Sequence, residues 1–126
     1  MMSPRSKRRG ARGPLLAAAA FLIAASGPGE RSKDLQTVKE ARSVAAEWAL
    51  TNRLAAAGRV TPTYAEAMAR QAKRQLASAL KTVSDPQGPA AHELARLTRL
   101  PANASPDVLA RSARRLLAIE AGLEDR

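Results

Sequence analysis

The chain has 126 residues, 45% of them hydrophobic but only 2% aromatic, and a formal net charge of +10. That length allows one domain at most, and an apolar fraction made largely of alanine favours close-packed helices over sheets. The absence of cysteine excludes disulfides, thiolate catalysis, cysteine metal sites and a lipoprotein-type anchor.

Residues 1–14 contain Arg5, Lys7, Arg8, Arg9 and Arg12 and no acid, and Leu15 to Ala25 then reads LLAAAAFLIAA. Small or helix-breaking residues follow at Ser26, Gly27, Pro28 and Gly29. A basic end, an apolar run and a small-residue exit are the order of a secretory signal peptide, predicted over residues 1–26 with a cut near Gly27. The rival is an inner-membrane anchor over residues 15–25. Eleven helical residues reach only about 16 Å, against a hydrocarbon core of about 30 Å, which disfavours it. Arg8-Arg9 matches the start of a twin-arginine signal, but Gly10-Ala11-Arg12 stand where that signal has apolar residues. The leader also holds half the net charge. Sixteen of the twenty-one basic residues and all eleven acidic ones follow it, so the remainder carries +5.

Residues 27–33 (GPGERSK) read as a flexible linker, and residues 34–126 as a helical domain. Helix one is predicted from Asp34 to Ala57, with Val38, Ala41, Ala45, Trp48, Ala49 and Ala55 on one stripe. Asn52 lies inside that stripe, set either to fix a register or to face a partner. Gly58 suits the left-handed stop after the helix. Thr61-Pro62 opens helix two with a capping hydroxyl and a proline at the first helical position. Its predicted apolar face is Tyr64, Met68, Ala72, Leu76, Ala79 and Val83, and Ser84 to Pro89 break it. Helix three, Pro89 to Arg99, turns Ala90, Ala91, Leu94 and Leu97 inward. Helix four opens at Ser105-Pro106-Asp107, buries Val108, Leu109, Ala113, Leu116, Leu117 and Ile119, and closes at Gly122. The link from Gly58 to Val60 is short enough to force helices one and two into an antiparallel hairpin, with Trp48 opposite Met68 to Ala72. The predicted fold is therefore all-α: an antiparallel helical hairpin covered by two shorter helices, preceded by a signal peptide.

Catalytic patterns are missing. His92-Glu93-Leu94-Ala95-Arg96 begins like a zinc-protease helix, but Arg96 stands where the second histidine is needed, and His92 is the only histidine. The acids read as solvated surface charge, with Glu66 and Arg70 at a weakly stabilising four-residue spacing. Glu120 sits close to the apolar stripe of helix four, at a helix end where it can bend into water. No phosphate-binding loop, dinucleotide fingerprint or nucleophile elbow is present. Asn103-Ala104-Ser105 fits a glycosylation pattern but is followed by Pro106. The expectation is a non-enzyme with no catalytic, cofactor or metal site.

Two basic clusters remain: Arg70, Arg74 and Lys81 on helix two, and Arg111, Arg114 and Arg115 on helix four. They could meet an anionic membrane surface or an acidic envelope protein. Base recognition is disfavoured because Trp48 and Tyr64, the aromatics after the leader, fall on apolar faces and leave no stacking platform.

The stretch Ala45 to Ala79, with its EWA helix, its Gly58-Arg59-Val60-Thr61 turn and its basic second helix, resembles small exported proteins of alphaproteobacteria. The Ile119 to Asp125 ending (IEAGLED) is similar too. The resemblance covers about two-thirds of the chain and implies an envelope location with no particular activity or site residues. The expected function is thus a periplasmic, non-catalytic binding module. The alternative is a cytoplasmic nucleic-acid binder that keeps Arg5 to Arg12 as an arm.

Overall fold

A computed structural model describes residues 28–125; the predicted leader, residues 1–26, lies outside them. The described residues are all-helical, with no strand: α1 is Pro28–Ala56, α2 Pro62–Thr82, α3 Pro89–Thr98 and α4 Pro106–Glu124. None of these helices is long and apolar enough to cross a membrane.

Local chemistry explains each boundary. Thr61 caps α2 by accepting from the Tyr64 N–H at 3.1 Å, and Ser105 caps α4 by accepting from the Asp107 N–H at 3.2 Å. A proline opens each of α2, α3 and α4, where its missing N–H breaks no helical bond. After α1, Gly58 takes φ +72°. The Arg59 N–H then reaches the Leu54 carbonyl at 2.8 Å, and the Gly58 N–H the Ala55 carbonyl at 3.0 Å. This pair of bonds is a Schellman stop, and it requires the left-handed residue that glycine supplies without strain.

Two boundaries differ from the prediction. The expected linker at 27–33 is helical from Pro28 onward. Pro28 is pre-shaped for a first helical position, and Glu30 in the first turn complements the helix dipole, so the segment favours helix despite Gly29. The packed unit itself is Lys33–Arg126. At the other end α4 runs through Gly122 to Glu124. A single glycine costs a helix only about 1 kcal/mol and does not by itself stop one.

All four helices contribute to one core. Trp48, Leu76, Leu94, Leu97, Leu109, Leu116 and Val38 are its largest fully buried side chains. Alanines at positions 41, 45, 49, 69, 72 and 91 fill the gaps between them. Burial of each large side chain is worth roughly 1.5–3 kcal/mol. The apolar face of α2 matches the predicted one at Ala72, Leu76, Ala79 and Val83 and differs at its start. Ala65, Ala69, Ala72 and Leu76 are buried, whereas Tyr64 is 51% exposed. The buried stripe begins one residue after Tyr64, which turns the ring toward solvent. Leu117, predicted inward on α4, is likewise 49% exposed.

Candidate functional site

The short helix α3 packs against both α2 and α4. Ala91, Leu94 and Leu97 face the core, which leaves His92 and Arg99 exposed and Arg96 part-exposed. The two predicted clusters sit on those two neighbouring helices. Arg70, Arg74 and Lys81 of α2 and Arg111, Arg114 and Arg115 of α4 are all exposed. The sequence reading overlooked Arg96 on α3 and Arg99 at its C-cap. Their three-residue spacing on the outer face of an amphipathic helix was the available signal. At the α2 side, Lys73 extends to donate from Nζ to the Leu100 carbonyl at 2.6 Å, tying α2 to the end of α3.

Charge is segregated along this arrangement. Residues 70–115 hold nine basic and three acidic side chains, a net +6, while the other described residues hold six basic and eight acidic, a net −2. Glu93, one of the three acids, is buried and exposes no free carboxylate to offset the face. Arg96 and Arg115 pair with Glu93, and Arg70 meets Glu66 at 3.9 Å, with both side chains of the last pair more than half exposed. A surface pair of this last kind contributes about 0–1 kcal/mol and yields easily to another anion.

The α3–α4 seam is the most organised polar feature. Glu93 Oε2 accepts from Ser112 Oγ at 2.5 Å and from Arg96 Nη2 at 2.7 Å. Arg96 Nη2 also donates to Ser112 Oγ at 2.9 Å, and Arg115 Nη1 lies 3.6 Å from the same carboxylate oxygen. Ser112 is fully buried. Burial pushes the Glu93 carboxyl pKa up, but the Ser112 bond and the Arg96 and Arg115 charges outweigh it and hold it below the usual value. The reading of all acids as solvated is therefore corrected at Glu93. It is corrected again at Glu120, which is 6% exposed rather than bent into water. Arg42 Nε of α1 donates to Glu120 Oε1 at 2.7 Å, which supplies the partner a buried carboxylate needs.

Asn52 is a tether, not a free face. Its Nδ2 donates to the carbonyls of Ala102 at 3.0 Å and Ala104 at 2.9 Å, and Trp48 Nε1 donates to the same Ala102 carbonyl at 3.1 Å. Beside it is a groove of about 550 Å³ lined by Ala55, Pro62, Ala65, Glu66, Ala102 and Pro106 among others. A second groove, of about 630 Å³, lies along Gln36 to Glu47 of α1 and Gln75 to Thr82 of α2. Neither lining contains a histidine. His92 is exposed on α3. No cluster of three or more potential metal ligands occurs among the described residues.

No protein-family model, curated protein or solved structure matches the chain.

Proposed function

We propose that the protein is a small exported helical module of the cell envelope that binds an anionic membrane surface and has no catalytic role. One observation carries this reading: the +6 of residues 70–115 against the −2 of the other described residues. The basic groups are spread over the outer sides of three helices, a shape suited to a broad charged plane rather than to a small substrate. The signal-like leader and the resemblance to exported alphaproteobacterial proteins support a periplasmic location. Support for the hairpin of the two long helices comes from the grooves. Gln36 to Glu47 line one with Gln75 to Thr82, Val44 to Thr51 line another with Met68 to Gln75, and Asn52 to Ala56 line a third with Pro62 to Glu66. The two stretches run in opposite directions through this series.

Two measurements test the reading. The mature protein should begin near Gly27 and be recovered from the periplasm; a Met1 start in the cytoplasm overturns it. Binding to phosphatidylglycerol vesicles should exceed binding to phosphatidylcholine vesicles. It should also fall with salt as the screening length shrinks from about 10 Å at 0.1 M to about 3 Å at 1 M. Salt-independent or absent binding removes the membrane, and an acidic envelope protein becomes the remaining partner for the face. The second reading, a cytoplasmic nucleic-acid binder, gains one stacking group from the exposure of Tyr64. RNA or DNA binding by a protein that retains Arg5 to Arg12 would select it.

A further inference from the structure

We infer that Arg96 and Arg115, fixed by Glu93 at the α3–α4 seam, form a clamp for a single phosphate group. This deepens the basic-face reading by assigning the chemistry of one subsite within it.

The geometry is unusual for surface arginines. A long guanidinium side chain at a protein surface normally keeps its rotamer freedom, and fixing it costs about 2 kcal/mol. Here one buried carboxylate oxygen anchors Arg96 Nη2 by a hydrogen bond at 2.7 Å and draws Arg115 Nη1 to 3.6 Å as an ion pair. The two guanidiniums therefore meet at the same carboxylate oxygen, which brings the Arg96 and Arg115 forks together at the seam. Both side chains still reach water: 39% of the Arg96 side chain and 52% of that of Arg115 are exposed, against 9% for Glu93.

Donor capacity is also left over. A guanidinium carries five N–H donors in a planar fork. Arg96 spends Nη2 on Glu93 and Ser112, and among the described residues its Nε and Nη1 have no hydrogen-bond partner. At 3.6 Å the Arg115 contact with Glu93 is an ion pair rather than a hydrogen bond, so the Arg115 fork is uncommitted among the described residues. The site thus offers one anchored and one ion-paired fork around one internal negative charge, a local net +1. Arg111 lies one turn from Arg115 on the same helix and adds to the positive field. A phosphate oxygen is the acceptor best matched to such forks. Two sources present that group: a phosphodiester lipid headgroup and free inorganic phosphate.

The pre-positioning separates a clamp from a merely positive surface. On a merely positive surface, removing the Glu93 charge would tighten anion binding. In a clamp, Glu93→Gln frees the two guanidiniums and loosens it. Arg115→Lys keeps the charge but loses the fork, at a side chain that is 52% exposed.

The test uses the full chain labelled with ¹⁵N-arginine, so that each guanidinium is read separately from those of the leader. Inorganic phosphate is titrated alone in one arm, and phosphatidylglycerol vesicles in the other. The Arg96 and Arg115 signals should shift together and saturate. Arg115→Lys should weaken saturation about tenfold, the loss of one charge-assisted hydrogen bond. Arg59→Gln, in the turn after α1, should change nothing. Glu93→Gln should weaken binding despite the added positive charge, with thermal melting to verify the fold. If that variant unfolds, Arg115→Lys carries the test alone. Saturation by phosphate supports a free-phosphate source, and saturation only by vesicles supports a lipid headgroup. Non-saturating shifts equal to those of Arg31 and Arg59, unchanged affinity in Arg115→Lys, or tighter binding by a folded Glu93→Gln would each overturn the clamp. Vesicle binding that survives this result would leave the basic-face reading standing without it.

Discussion

Substituting Asn52 with alanine should destabilise the packed unit by about 3 kcal/mol. The side chain makes two buried or part-buried bonds, to the Ala102 and Ala104 carbonyls. A lost amide–carbonyl bond costs about 1 kcal/mol net where the acceptor keeps another partner, and about 1–3 kcal/mol where it leaves a buried acceptor without one. The Ala102 carbonyl keeps its bond from Trp48 Nε1, so only the Ala104 carbonyl, on a residue 5% exposed, is orphaned. For a unit of this size, 3 kcal/mol corresponds to a drop in Tm of roughly 12–24 °C. Asn52→Asp should be worse at neutral pH, because it replaces a donor with a charge aimed at two carbonyl oxygens. Acidification protonates that carboxyl and restores one donor, so the gap to Asn52→Ala should narrow. Melting followed by far-UV circular dichroism and by the fluorescence of Trp48, the sole tryptophan, gives two independent probes. A Tm within 3 °C of the unsubstituted protein, or an Asp variant more stable than the Ala variant at neutral pH, would refute the tether.

Glu93→Gln should lower stability at neutral pH, and the deficit should shrink on acidification. The folded carboxyl has a depressed pKa. Its contribution is present above the unfolded value of about 4.3 and is lost as pH falls through the folded one; a denaturant series from pH 7 to about 3 reads this directly, and a deficit that grows toward acid would contradict it. Leu94→Ala, at a side chain with 0% exposure, should cost about 2–5 kcal/mol, whereas Leu50→Ser, at 53% exposure, should stay within about 0.5 kcal/mol. Urea midpoints at constant m-value check both, and equal effects would mean the core is misplaced.

What could be read in the sequence was local. Thr61-Pro62 and Ser105-Pro106 announce helix starts because the capping hydroxyl and the proline act within one turn. Gly58 announces a stop because a left-handed φ is a property of one residue. On α2 the predicted Ala72, Leu76, Ala79 and Val83 do meet the core, and the reading failed only at the first turn, where Tyr64 was taken as inward. Three alanines, at positions 65, 69 and 72, form most of the true face. The buried acids were missed for a different reason. Glu93 is explained by Ser112, nineteen residues away, and Glu120 by Arg42, seventy-eight residues away. Glu120 was legible as lying beside the apolar stripe, but only the Arg42 partner explains why it stays there instead of bending into water. Asn52 posed the same problem, since its acceptors are backbone carbonyls with no signature of their own. Of the basic face, the α2 and α4 clusters were legible as runs on single helices. Their relation to Arg96 and Arg99 depended on α3 lying against both helices.

The connection between α3 and α4 has a consequence for how the protein opens. Side chains from two other helices hold it by its carbonyls: Trp48 and Asn52 of α1, and Lys73 of α2. These contacts span 27 to 54 residues of chain, so none can form until distant segments have met. A surface connection of this kind is ordinarily among the first parts of a protein to exchange its amide hydrogens. Here releasing it means stripping α1 and α2 from their bonds, which places the loop in the same cooperative unit as the core. High contact order in one short stretch thus turns a connector into a late-forming lock, one that reports global unfolding rather than local fraying.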